Sequence, residues 1–184
     1  MRRRLKQWLM GFARDHQGLA AIEFAMLAPL MLLIYFGMVE FSQAFMANRR
    51  ANHMASIVAD LIAQGETTTP AEVDLVFDIG ALVLKPFDDG TLSMRVSSIT
   101  WTANNQAVVN WSRSRGGSIP ALTKGAVMTG VPTDLITKDQ TLIVGESHYT
   151  YSSRMTQIIK QPLTFQRRYY LRPRIADSIS CTGC

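Results

Sequence analysis

Apolar and polar positions divide the chain into three regimes. From Leu19 to Val39 apolar residues follow one another with a single charge, Glu23, among them. A helix of about 21 residues rises roughly 31 Å, close to the ~30 Å hydrocarbon core of a bilayer. The run predicts a transmembrane helix over residues 19–41. The pattern then becomes one-sided: Ala47, Ala51, Met54, Ala55, Val58, Leu61 and Ile62 recur at helical spacing, with Arg49, Arg50, Asn52, His53, Ser56 and Asp60 between them. The helix is therefore expected to continue, now amphipathic, over 42–64 and to close at Gln64-Gly65 with glycine as its C-cap. A second helix is predicted from Thr67-Thr68-Thr69-Pro70-Ala71-Glu72, which offers a threonine N-cap, a proline at the first helical position and an early acid. It would turn Val73, Val76, Phe77, Ala81 and Leu84 inward and end at Pro86 and Asp88-Asp89-Gly90.

From Leu92 the period falls to two. Leu92, Met94 and Val96 alternate with Ser93 and Arg95, and Ile99 and Trp101 extend the strand to a turn at Asn104-Asn105. Ala107 to Trp111, Thr141 to Tyr151 and Leu163 to Leu171 read as further strands, and Arg113 to Gly117 as a loop. Ala121 to Asp139 shows no clear period. The expectation is an α+β chain: a long N-terminal helix, transmembrane and then amphipathic, packed on one face of an antiparallel sheet of about four strands. Residues 65–184 would form the domain outside the membrane.

Charge changes this picture in one respect. The formal net charge is +5, yet Arg2, Arg3, Arg4, Lys6 and Arg14 lie within the first 18 residues, opposed only by Asp15. The remainder is nearly balanced, so the excess belongs to a basic leader over 1–18 and reads as a topology signal. Nucleic-acid binding would want the excess as a patch on the folded part and is not expected. Only Arg49 and Arg50 follow the span closely, so the N-terminus is placed in the cytoplasm and the C-terminal bulk outside, in a bacterium the periplasm. A buried core helix seldom sustains such a run. A secretory signal cut after Ser42-Gln43-Ala44 remains a rival, although its apolar region is typically about 7–15 residues long.

Glu23 is the unusual residue of the span. A carboxylate at mid-bilayer costs about 2.5–3.5 kcal/mol on insertion scales, less one turn from the end. Gly18 stands five residues before it, Phe24 directly after it and Pro29 one and a half turns on. With the basic leader, the stretch Gly18-Leu19-Ala20-Ala21-Ile22-Glu23-Phe24 resembles the processing site of type IV prepilins, in the form found in the tight-adherence (Tad, or Flp) branch. The continuation Ala25-Met26-Leu27-Ala28-Pro29-Leu30, with Gly37, Val39 and Glu40, is similar to the TadE-like family, over roughly Gly18 to Gln64. The resemblance implies a pilin-like fold and a membrane-anchored minor pilin, cut between Gly18 and Leu19 by a prepilin peptidase. Its implied partners are that peptidase, other pseudopilins, the major pilin and the inner-membrane assembly platform. Glu23, Phe24 and Pro29 become the recognition and assembly residues. After such a cut the new α-amino group of Leu19 lies four residues before Glu23, a spacing at which opposite charges attract on a helix. In pilin-like assemblies the carboxylate is thought to neutralise the amine of a neighbouring subunit. Pro29 either kinks the rod or supplies a weak point where it bends on leaving the bilayer.

Other chemistry is sparse. Cys181-Thr182-Gly183-Cys184 has redox spacing but no following helix to lower a thiol pKa, and two thiols with His16, His53 and His148 do not make a zinc set. A disulfide between Cys181 and Cys184, or bridges between subunits, is the expectation in an oxidising compartment. Gly145-Glu146-Ser147-His148 lacks the nucleophile elbow. The stretch Gln166 to Arg174 mixes aromatic and basic residues, with Leu163, Phe165, Tyr169 and Leu171 expected on one strand face and the bases mostly on the other, a solvated edge. No enzyme, cofactor or metal is expected. The rival class is a signal-anchored extracytoplasmic binding protein or enzyme unrelated to pili.

Overall fold

The structure, a computed structural model, describes residues 17–133 and 138–184, with the backbone alone for Gln17 and Leu19. Most of the expected leader and part of the segment without a clear period thus lie outside the described residues. The chain divides into two compact units, one ending at Ser42 and the other running from Gln43 to Cys184.

The described part of the first unit is the front of helix α1 (Gln17–Ala63), which runs through Pro29. Leucine, methionine and alanine dominate it and favour helix. Its apolar side chains, among them Ile22, Met26, Leu30 and Met38, are exposed on every side. A helix apolar all round has no water-facing stripe.

In the second unit the same helix becomes one-sided. Ala47, Ala51, Ala55, Ala59 and Ala63, four apart, are buried together with Met54, Val58 and Ile62. At the helix end, Gly65 donates its N–H to the Ile62 carbonyl (3.2 Å). It does so without the left-handed backbone expected of a glycine C-cap. The Arg174 N–H donates to the Ala63 carbonyl (2.9 Å), so the far C-terminal segment satisfies a carbonyl that the helix itself leaves open.

Helix α2 (Pro70–Leu84) begins where the sequence places it. Thr69 and Glu72 form a reciprocal capping box with Pro70 in the first turn, and Val73, Phe77, Gly80 and Leu84 face the core. Its end is held by Arg50, whose guanidinium donates to the carbonyls of Val83 and Lys85.

The described residues also form seven strands: β1 (Thr67–Thr68), β2 (Ser93–Trp101), β3 (Ala107–Arg115), β4 (Val127–Met128), β5 (Thr141–Tyr151), β6 (Leu163–Leu171) and β7 (Ser180–Cys181). The main sheet has the order β4-β3-β2-β5-β6, antiparallel throughout, and β1 pairs with β7 in parallel. Two expectations change here. Residues 113–115 are strand rather than loop, because Arg113 and Arg115 pair with Val96 and Met94 and their guanidinium groups reach Asp74 and Asp78 of α2. Among its described residues, the segment without a clear period holds the two-residue β4, which makes a fifth strand, and is otherwise an irregular cover.

That cover explains why β2 is buried on both faces. Met94 and Val96 join the core beneath the helices; Ile99 and Trp101 join a second core with Ala107, Val109, Leu142, Val144 and Met128. Between β2 and β3 the register slips after Ser98, leaving Asn110 as the extra residue of a bulge. Its amide donates to Ser98 Oγ (3.1 Å) and Thr100 Oγ1 (2.9 Å). The bulge turns Trp111 toward the helix side while Val109 and Ala107 face the other.

Candidate anchor and assembly site

The residues singled out at the N-terminus all lie on α1. Gly18 is exposed, and among the described residues no atom beyond its chain neighbours and its own helix backbone lies within 4 Å of where its Cβ would be. The Gly18–Leu19 bond lies within α1. Glu23, Phe24 and Pro29 are exposed, Phe24 at 72%. Pro29 brings no N–H to the ladder, so the Ala25 carbonyl loses its partner there. The helix offers an unshielded glycine, an outward carboxylate one turn on, and apolar side chains in every direction. It is long and apolar enough to cross a membrane.

In the second unit the buried face of α1 is occupied by its own sheet. The alanine row lets β5 approach so closely that a Cβ on Gly145 would stand 2.4 Å from the Ala55 carbonyl oxygen and 2.8 Å from the Ala59 Cβ. Ser147 Oγ donates to the Ala51 carbonyl (2.9 Å), Arg167 Nη2 donates to Asn48 Oδ1 (2.8 Å), and Arg174 pairs with Asp60. Phe45, Met46, Arg49 and His53 stay on the exposed side of the helix.

The basic-aromatic stretch is arranged differently from the expectation. The β5–β6 register puts Arg167 on the same face as Phe165 and Tyr169, and Arg168 on the opposite one. There Arg168 meets a buried ion cluster that no sequence pattern announces. Glu146, with 5% of its side chain exposed, accepts from Arg95 Nε (2.6 Å) and Arg168 Nε (2.7 Å). Arg95 Nη1 also donates to the Pro120 carbonyl (2.7 Å) and Arg168 Nη1 to that of Thr129 (3.1 Å), which pins the cover to the sheet. A lone acid inside the apolar strand Thr141–Tyr151 was the one available signal. Burial pulls the pKa of nearby His148 below its usual 6.5; Glu146 opposes this, and Arg95 and Arg168 add to it.

Gly145-Glu146-Ser147-His148 alternates across the sheet, with Ser147 toward α1 and His148 toward the other face. The pair therefore cannot act as nucleophile and base. Among the described residues no group of three or more His, Cys, Asp and Glu is placed to hold a metal.

The C-terminal segment closes the second unit. Trp111 Nε1 donates to the Ile179 carbonyl (2.7 Å), and β7 pairs with β1. Cys181 and Cys184 are joined by a disulfide, with Cα atoms 5.6 Å apart.

Residues 18–60 match the family model described as TadE-like protein. The match starts at Gly18 and ends within the buried stripe of α1, so it covers the apolar front of the helix and most of its continuation but not the sheet. Over that stretch the chain is similar to TadE-like proteins, a family associated with Tad pili. No curated protein and no solved structure matches the chain.

Proposed function

We propose that the protein is a membrane-anchored minor pilin, a TadE-like pseudopilin that takes part in assembly of a Tad-type pilus used for adhesion or secretion. The observation that carries the reading is the character of α1: after Glu23 apolar in all directions to Val39, then one-sided, with the motif and most of the stripe inside the matched region. The front of the helix sits in the inner membrane with the basic leader, residues 1–18, in the cytoplasm and the domain from residue 65 in the periplasm. Prepilin peptidase removes the leader between Gly18 and Leu19. A glycine at that bond suits a narrow cleft, since it brings no Cβ. The new amine of Leu19 and the carboxylate of Glu23 then neutralise one another, within a chain or between neighbours. That lowers the cost of holding charge in an apolar bundle. Pseudopilins, the major pilin and the inner-membrane platform are its partners. The exposed front of the helix is the packing element.

The test is the first residue of the mature protein in cells that assemble the pilus. Leu19 is expected. Met1 would indicate an uncleaved anchor, and Phe45 a secreted protein; either result ends the pilin reading. In the same cells Glu23→Gln is expected to reduce recovery of the protein in sheared pili while leaving its membrane level unchanged.

A further inference from the structure

Helix α2 is apolar on two opposite sides. Val73, Phe77, Gly80 and Leu84 face the core. Leu75 (59% exposed), Ile79 (39%) and Leu82 (58%) lie on the outer side. Their spacing, four and then three residues, places them in one row along the helix. In heptad letters Ile79 takes an a position and Leu75 and Leu82 take d positions, while the core-facing residues fall at b and f. Scattered single apolar residues are ordinary on a surface; a row of this spacing is the seam of a coiled coil. A β-branched residue at a with leucine at d is the combination that favours two parallel strands.

The flanks of the row suit a second copy of the same helix. On one side Val76 and Val83, at e, are half-buried. On the other stands Asp78, at g, whose carboxylate is already neutralised by Arg115. Asp74, further round on that side, is held by Arg113 (2.8 Å). Two identical helices therefore meet here without setting bare like charges against one another.

The direction of the pair follows from the second unit. There α2 runs back along α1: Gly80 lies against Val58 and Met54, and the Arg50 guanidinium reaches the carbonyls of Val83 and Lys85. A parallel pair of α2 helices points both α1 continuations the same way, with Gln43 of each copy at one end, as two chains held in one membrane require. An antiparallel pair would oppose them.

We propose that Leu75, Ile79 and Leu82 form a short two-stranded seam through which α2 of one subunit packs in parallel on α2 of a second copy. The parallel direction rests on the anchor reading above; the seam itself does not. Its three layers rise only about 10 Å and make a contact below the roughly 1,200 Å² of standard interfaces. The pair therefore forms where a membrane already gathers the subunits.

The experiment uses the full-length chain, its native disulfide closed, in vesicles of phosphatidylethanolamine and phosphatidylglycerol. Leu75→Cys, Ile79→Cys, Leu82→Cys and, in the exposed turn after β2, Asn104→Cys are made singly and oxidised with copper phenanthroline. Cross-linked dimer is expected at 75, 79 and 82 and not at 104. Leu75→Glu with Leu82→Glu should abolish the dimer at 79 and leave Tm unchanged, since both side chains are exposed. Differently tagged Leu75→Cys and Leu82→Cys chains, mixed, should give each homodimer and no mixed product. No dimer at 79 in membrane-held chain, as much at 104 as at 79, or a dimer at 79 that survives the two glutamates overturns the seam. A mixed 75–82 product overturns the parallel pairing. Release of the chain from vesicles by alkaline carbonate, with 79 still cross-linking, ends the anchor reading and leaves the seam standing. An unlinked 79 that joins a different protein in cells assigns the row to another partner and overturns self-pairing.

Discussion

Replacing Gly145 by alanine puts a Cβ 2.4 Å from the Ala55 carbonyl oxygen and 2.8 Å from the Ala59 Cβ. Neither obstacle can rotate away: one is helix backbone and the other is the first side-chain atom. Overpacking a tight core costs about 1–3 kcal/mol, and rigid neighbours place this site near the top of that range. Alanine also removes the disadvantage of glycine in a strand, about 0.5–1 kcal/mol. The net loss is about 2 kcal/mol, which for a domain of this size lowers Tm by roughly 6–10 °C. Two other glycines calibrate the result. At Gly80 the Cβ would meet Val58 Cγ2 at 2.9 Å, on a stiff branched side chain, and Met94 Sδ at 3.1 Å, on a flexible one; neither is backbone. The better helix propensity of alanine, worth about 1 kcal/mol, then offsets much of the cost. At Gly117 nothing lies within 4 Å, and the substitution should be neutral. Urea unfolding of the full chain in detergent, followed by fluorescence of Trp101 and Trp111 in a Trp8→Phe background, measures all three. If Gly145→Ala is as stable as Gly117→Ala, α1 does not lie against β5 at this distance, and the helix–sheet packing is wrong.

Glu146→Gln removes the negative charge shared by Arg95 and Arg168 and replaces one of its two acceptor oxygens with a donor, and breaking one partner of a buried pair costs about 3 kcal/mol. The same unfolding assay should show this loss, with much of it recovered in Arg95→Met/Glu146→Leu, where both buried charges of that pair are replaced by apolar groups. His148 gives a pH dependence. Its folded pKa lies below 6.5, so the folded chain binds fewer protons than the unfolded one. Its contribution is present above the unfolded pKa and is lost as pH falls through the folded value. Tm measured from about pH 7 to about pH 5 should therefore fall less steeply in His148→Gln than in the parent.

The sequence by itself determined the long apolar helix, the capping of α2 and most of the course of the longer strands. Each is a local pattern. A helix of lipid-spanning length shows as a long, nearly unbroken apolar run, a capping box needs two residues three apart, and β5 and β6 announce themselves by composition and alternation. Solvent acts on each residue separately, so these signals survive in one dimension. Tertiary structure decided what lies across the sheet. Arg95 and Glu146 are 51 residues apart, and only the β2–β5 register brings them together. The irregular cover over the second core has no period because it repeats no backbone geometry, so Leu122, Met128 and Val131 read as scattered apolar residues until the sheet beneath them is known. The alanine row of α1 reads as generic helix, and Gly145 as a weak point in a strand; that each exists for the other follows from a separation too short for any larger side chain. The carbonyl of Ala63 is satisfied from Arg174, a pairing settled by where the C-terminal segment lies once the sheet has closed.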